Sequence, residues 1–100
     1  MVCSSATRIN TMTDMDVTII NKLGLHARAA AKFVTLASSF DSDIKLSRDG
    51  RTVNGKSIMG VMMLAAAKGT QLTLHVSGSD EADAINKLQE LVNDRFGENE

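Results

Sequence analysis

The sequence predicts an α/β protein of the α+β type, in which three helices cover one face of a four-stranded antiparallel sheet. Several short segments alternate apolar with polar residues, as strands do when they bury one face and expose the other. Other segments repeat apolar residues at steps of three and four, as helices do when they bury one stripe. These segments follow one another in the order βαββαβα, so all the helices can lie on the buried face and form a two-layer sandwich.

The first strand is expected at residues 16–20 (DVTII), a short β-branched run. A loop that contains a glycine separates this strand from a helix expected from Ala27 to about Ser39. The buried stripe of the helix should consist of the apolar residues that recur at helical spacing, namely Ala30, Phe33, Val34, Ala37 and Phe40.

A β-hairpin is expected after the first helix. Residues 43–47 (DIKLS) alternate in polarity, which predicts a strand with one solvated face. Asp49 and Gly50 are a strong hairpin signal, and residues 51–54 should return as the partner strand.

Two more helices and one more strand complete the predicted order. A helix of about ten residues is expected between Ser57, a good N-cap, and Gly69, a good C-terminal stop. Residues 72–76 alternate as the fourth strand. Ser79 or Asp80 should cap the last helix, which has acidic residues in its first turn. Its buried stripe should consist of Ile85, Leu88, Val92 and Phe96, with Leu91 at the edge of the stripe.

Length and composition limit the class of protein. The 100 residues argue for one domain, which we place at residues 14–100 behind a disordered extension at residues 1–13. The 11 basic and 12 acidic residues nearly cancel and all three aromatic residues are Phe, which argues against nucleic-acid binding. A single cysteine, Cys3, and the lack of a signal-like or membrane-length apolar run indicate a cytoplasmic protein. His26, His75 and Cys3 are too few for a structural zinc site, and no cofactor is expected.

The junction at residues 21–33 (NKLGLHARAAAKF) places a histidine where a helix begins. The first N–H groups of a helix have no intrahelical partner and attract phosphate, so the backbone of Ala27 and Arg28 is a candidate phosphate site. The positive potential there favours a neutral, nucleophilic His26 ring, and the Arg28 side chain offers further donors. The alternative is that both side chains are solvated surface residues, because one His beside one Arg is a weak motif. We interpret His75, at an outward position in a strand, as a surface residue.

At residues 24–28 (GLHAR) and again at residues 56–64 (KSIMGVMML), the chain resembles the HPr family of histidine-containing phosphocarriers of the phosphoenolpyruvate-dependent phosphotransferase system. The resemblance covers the chain from about residue 16 to its end. Two separated motifs in the right order are more specific than either motif alone. The resemblance implies an HPr-like open-faced sandwich. The lead-in NKLG is similar to proteobacterial members, including the nitrogen-related branch NPr.

The resemblance implies a role for each matching residue. His26 would accept a phosphoryl group from phosphorylated enzyme I, on the ring nitrogen nearer the backbone, and pass it to IIA proteins or domains for sugar uptake or carbon–nitrogen regulation. Arg28 would stabilise the phosphoryl group, and Ser57 would be the regulatory serine that HPr kinase/phosphorylase modifies in many members. The chain would then be a monomeric, stoichiometric carrier and no enzyme. Ala29 replaces the proline usual in the family, which should reduce the rigidity of the first turn but not its chemistry.

The second predicted helix is apolar nearly all round, and a helix on one face of a sheet cannot bury every side. Ile58, Met59 and Met62 fall on one side and are expected to form an exposed patch that docks protein partners, although a fully buried helix is the alternative. A regulatory module that binds partners through this patch without phosphotransfer is therefore the alternative function. Phosphorylation of Ser57, at the start of the helix, should impair docking and leave the fold intact.

Overall fold

The structure, a computed structural model, describes residues 13–98. The strands are β1 (Thr13–Thr18), β2 (Asp43–Arg48), β3 (Arg51–Asn54) and β4 (Gln71–Ser77). The helices are α1 (Ala27–Ser38), α2 (Ile58–Met63) and α3 (Glu81–Asn93), and a 3-10 turn follows at Arg95–Gly97. The order along the chain is the predicted βαββαβα. Residues 1–12 of the expected extension, with Cys3, lie outside the described residues, whereas Thr13 is the first residue of β1.

The four strands form one antiparallel sheet in the order β1-β4-β2-β3. Strand β4 lies at the centre and pairs with β1 on one side and with β2 on the other. Its side chains alternate, so that Leu72, Leu74 and Val76 are buried while Thr73 and His75 lie on the more exposed face. The predicted four-stranded sheet with its helices on one face is confirmed.

The core lies between the sheet and the helices. The predicted stripe of α1 is confirmed, because Ala30, Phe33, Ala37 and Phe40 are buried and Val34 is partly buried. Helix α3 adds Ile85, Leu88 and Val92, as expected, with Leu91 at the edge of the core. No helix within residues 13–98 has the length and apolar character needed to cross a bilayer.

Strand β1 lies earlier in the sequence than predicted. It covers Thr13–Thr18 instead of residues 16–20, because Asp14 and Asp16 point to the solvated face and do not interrupt the pairing. Ile19 is outside the strand but remains buried. Its backbone pairs with the loop before β4, since its N–H donates to the Thr70 carbonyl at 2.9 Å.

Helix α2 is shorter than the predicted ten residues and ends at Met63. Ala65 adopts a left-handed conformation with φ of 50°, which no helix can continue. Arg48 stabilises this end by donating hydrogen bonds to the carbonyls of Leu64 and Ala65, at 2.8 and 3.0 Å. Gly69, the predicted stop, lies instead in the loop that leads into β4.

Both ends of α3 differ from the prediction. Asp80 occupies the N-cap position, but its carboxylate accepts hydrogen bonds from the backbone N–H groups of Asp41 and Ser42 and from the Ser42 hydroxyl instead of capping the helix. These bonds, that of the Ser42 hydroxyl above all, lower the pKa of Asp80. At the other end the helix stops at Asn93. Phe96 is fully buried as expected, but it reaches the core from a turn with φ of 54°.

Candidate functional site

The backbone of His26 begins helix α1. His26 is the N-cap residue, with φ of −75° and ψ of 179°, and its carbonyl accepts the first intrahelical bond from Ala30 N at 2.8 Å. The N–H groups of Ala27 and Arg28 precede that first donor, so the helix offers them no acceptor. The His26 ring does not cap them, and the first turn contains no acidic residue. The helix therefore presents its positive end without a neutralising side chain of its own.

The loop before α1 is held by a tight approach to the segment after α2. Leu25 N donates to the Ala66 carbonyl at 2.9 Å. Gly24 has φ of 69°, and a Cβ there would collide with the Ala66 carbonyl and lie 2.9 Å from Ala67 Cα. Only glycine satisfies both the left-handed conformation and the close approach. This contact fixes where the chain enters α1 and therefore where the His26 side chain starts.

The two ring nitrogens of His26 have different surroundings. Nε2 lies 2.5 Å from Glu98 Oε2, whereas Nδ1 has no hydrogen-bond partner among residues 13–98. A carboxylate can only accept, so the neutral ring in this contact carries its proton on Nε2 and keeps the lone pair on Nδ1. The side chain is 29% exposed, so the ring can be reached from solvent. The arrangement leaves Nδ1, the nitrogen nearer the backbone, as the ring nitrogen with a free lone pair.

Two hydrogen bonds hold Glu98 in place, one to its side chain and one to the backbone two residues before it. Asn21 Nδ2 donates to Glu98 Oε1 at 3.0 Å, and Lys32 Nζ donates to the carbonyl of the buried Phe96 at 2.8 Å. The hydrogen bond from Asn21, then that from His26, lower the pKa of Glu98, and the positive charge of Lys32 acts in the same direction against desolvation. The carboxylate is therefore ionised near neutral pH.

Asn21 and Glu98 were missed in the sequence analysis. Asn21 is fully buried and uses its amide group twice, because Nδ2 also donates to the Gly24 carbonyl at 2.8 Å. An asparagine three residues before a glycine is a turn signal that could have identified it. Glu98 had no such signal, since its contact with His26 spans 72 residues and depends on the turn at Phe96.

Arg28 lies in the same first turn as His26 and is exposed. It has no hydrogen bond or ion pair with any residue of the described 13–98 segment, so its guanidinium is free to turn toward an anion at the helix start. Ala29, which replaces the proline, is fully buried against the core. The structure thus brings His26 and Arg28 together at one helix end, as the sequence predicted.

Ser57 lies far from His26. It is the N-cap of α2, as predicted, and its Oγ accepts from Gly60 N at 3.1 Å. The neighbouring Lys56 donates through Nζ to the Phe40 carbonyl at 2.7 Å, which places the start of α2 near the C-terminal end of α1. His26 stands at the other end of α1, a helix of 12 residues or roughly 18 Å. Ser57 therefore cannot act on the ring by direct contact.

Helix α2 leaves an apolar surface uncovered. Val61 and Leu64 are buried, whereas the other large side chains of the helix are exposed. We define the apolar patch as Ile58, Met59, Met62 and Met63, which are 44%, 75%, 41% and 63% exposed. The predicted exposure is confirmed, and Met63 extends the patch beyond the three residues expected. Leu23, 66% exposed in the loop before His26, is a further apolar side chain that the sequence analysis missed.

A βαββαβα sandwich that presents a histidine at the uncapped start of its first helix has the architecture of the histidine-containing phosphocarriers. Comparison with known proteins agrees with this class. The family model PTS-HPr, which describes the phosphorylation site of the HPr component of the phosphotransferase system, matches residues 14–94. The phosphocarrier protein HPr of Cupriavidus necator is 57% identical over 89 residues, which cover 89% of this chain and 100% of that protein.

Solved structures give the same result. The crystal structure of HPr-C-His from Thermoanaerobacter tengcongensis matches with a TM-score of 0.85 and 44% identity, over 88% of this chain and 99% of that one. A crystal structure of an HPr dimer from the same organism matches with a TM-score of 0.70 and 48% identity, over 82% of this chain and 94% of that one. The chain belongs to the HPr family, and its function is that of a phosphocarrier of the phosphotransferase system.

Proposed function

We propose that His26 is the residue that carries the phosphoryl group, which it receives from phosphorylated enzyme I and passes to IIA proteins or domains. One observation supports this assignment above the others. Nε2 of the ring is engaged by Glu98 at 2.5 Å, while Nδ1 is left without a partner among residues 13–98 beside the start of α1. His75, by contrast, has both ring nitrogens engaged.

The transfer follows from this geometry. The Nδ1 lone pair attacks phosphorus, a nitrogen–phosphorus bond forms, and the bond to the donor breaks with its electron pair leaving on the donor. The ring becomes positively charged because Nε2 keeps its proton, and the Glu98 carboxylate stabilises that charge through direct contact. Attack by the acceptor on a IIA protein reverses these changes and returns a neutral ring.

The phosphoryl oxygens need positive partners at the helix start. The unpaired N–H groups of Ala27 and Arg28 and the free guanidinium of Arg28 would supply them.

An Arg28→Met variant should therefore accept the phosphoryl group more slowly. Lys87→Met, which removes the same charge from the exposed side of α3, should accept it at the normal rate.

The apolar patch would dock both enzyme I and the IIA partners, since flexible methionine side chains adapt to several surfaces. Phosphorylation of Ser57 by an HPr kinase/phosphorylase would place a dianion at the edge of this patch and reduce docking. We further propose that the chain acts in the cytoplasm as a monomer. It would act as a stoichiometric carrier, with no turnover of its own.

The test is phosphorylation with enzyme I and radiolabelled phosphoenolpyruvate. The chain should take up one phosphate that is labile in acid and stable in base, His26→Ala should take up none, and His75→Ala should serve as the matched control with normal uptake. Binding of enzyme I without any labelling of the wild-type chain would contradict the proposal and support the regulatory module instead.

A further inference from the structure

The solvated face of the sheet carries a hydrogen-bonded chain that phosphotransfer does not use. His75 Nδ1 lies 2.8 Å from Asp14 Oδ1, and His75 Nε2 lies 2.8 Å from Ser47 Oγ. Carboxylate, imidazole and hydroxyl are therefore linked in the order in which hydrolases activate a serine. All three residues lie within the described segment and on the face opposite the helices.

Strand register explains why these side chains meet. Asp14 on β1 is the direct partner of His75 on β4, and Lys45 on β2 is the direct partner on the other side. Ser47 is two residues beyond Lys45, so it lies diagonally across from His75 on the same face. Because β4 and β2 are each paired on both sides, the backbone holds this arrangement in place.

We propose that Ser47 is a nucleophilic serine that accepts acyl groups from neutral, activated donors such as aryl esters and thioesters. Asp14 accepts a hydrogen bond from the N–H group at His75 Nδ1 and orients the ring, which leaves the Nε2 lone pair to take the proton of the Ser47 hydroxyl. The bond between Oγ and the acyl carbon forms, and the bond from that carbon to the oxygen or sulfur of the leaving group breaks. His75 then returns the proton to the leaving group.

The residues around Ser47 limit which acyl donors can react with it. Asp14, Asp16 and Asp43 outnumber Lys45 on this face, and Lys45 Nζ lies 3.6 Å from Asp43 Oδ2, so the net negative charge disfavours anionic donors such as acyl phosphates. The backbone N–H groups of paired strands are used in the sheet and cannot stabilise an oxyanion. A donor must therefore have a good leaving group, and the acyl-serine should accumulate as a modification without rapid turnover.

The test is acetylation by p-nitrophenyl acetate, with the modified residue located by peptide mass mapping. Ser79, an exposed loop serine of the same chain, is the internal comparator. Ser47 should acetylate about 100-fold faster than Ser79, since a positioned general base contributes at least that much. His75→Gln should reduce the rate at Ser47 to that at Ser79, and Asp14→Asn should slow it as well. Urea denaturation of both variants checks that each is folded under the assay conditions.

Three results would overturn the assignment. The first is a rate at Ser47 equal to that at Ser79, and the second is a rate at Ser47 that does not change in folded His75→Gln. The third is acetylation of His75 itself in place of Ser47. Phosphoryl uptake from enzyme I, which does not involve this face, should be normal in each variant.

Discussion

Glu98 Oε2 lies 2.5 Å from Nε2 of His26, although 72 positions separate the two residues in the sequence. The contact favours the neutral ring with its proton on Nε2, and in the proposed transfer Nδ1 would then bond to phosphorus. It also has two opposing electrostatic effects, because the carboxylate stabilises a positive ring but repels phosphoryl oxygens. Coulomb energy falls with distance, and the ring is in direct contact while the phosphoryl group would be on its far side. We therefore expect stabilisation of the ring to exceed the repulsion.

Replacement of Glu98 by glutamine tests this balance. Glutamine keeps an acceptor near Nε2 but lacks the charge, and the difference between a charged and a neutral hydrogen bond is about 1 kcal/mol, or about fivefold in rate. Glu98→Gln should accept the phosphoryl group from enzyme I about fivefold more slowly in rapid-quench experiments. Glu90→Gln, the same change at an exposed position on α3, should have no effect. A faster Glu98→Gln would mean that repulsion dominates.

The lowered pKa of Glu98 also connects stability to pH. A carboxyl group with a lowered folded pKa stabilises the fold at pH values above its ordinary 4.5, and this contribution is lost as the pH falls through the lowered value. The free energy of unfolding of the wild-type chain should therefore decrease more steeply in acid than that of Glu98→Gln. Asp80 also has a lowered pKa, but it is present in both chains and its contribution cancels in the difference. Urea denaturation between neutral pH and about pH 3 would measure this, and parallel curves would contradict it.

Gly24 and Gly50 form a matched pair for the loop that positions His26. Both have positive φ, 69° and 83°, but a Cβ at Gly50 would have nothing within 4 Å, whereas one at Gly24 would collide with the backbone after α2. Gly50→Ala should cost about 1 kcal/mol of unfolding free energy, for the left-handed conformation alone. Gly24→Ala should cost about 3 kcal/mol and slow phosphoryl uptake. Equal losses of stability would show that the close approach is not a constraint.

Ser57 provides a test of docking that is separate from chemistry at the ring. Ser57→Asp keeps an N-cap for α2, so its unfolding free energy should be close to that of wild type, while Ser57→Ala should lose about 1 kcal/mol. A negative charge beside the apolar patch should raise the KM of enzyme I for Ser57→Asp but not for Ser57→Ala. An unchanged KM in Ser57→Asp would show that a negative charge at this position does not affect the binding of enzyme I.

Sequence patterns predicted the structural features that depend on residues close together in the sequence. Alternation identified β2 and β4, and the hairpin signal at Asp49 and Gly50 identified β3. Helical spacing identified the buried stripe of α1, and the step from loop to helix placed His26 at a helix start. The errors arose where distant contacts decide the conformation. Ala65 ends α2 in a left-handed conformation that alanine alone would not favour, with Arg48 from β2 bound to the freed carbonyls. Glu98 reaches His26 only because Phe96 turns into the core.

The most direct test of the account is to determine which nitrogen of which histidine is phosphorylated. Nitrogen–phosphorus coupling in NMR spectra of the chain, labelled with nitrogen-15 in its histidines and charged by enzyme I, distinguishes the four ring nitrogens. We expect the phosphoryl group on Nδ1 of His26, with the Nε2 proton retained toward Glu98. A phosphoryl group on Nε2 of His26, or on either nitrogen of His75, would contradict the account.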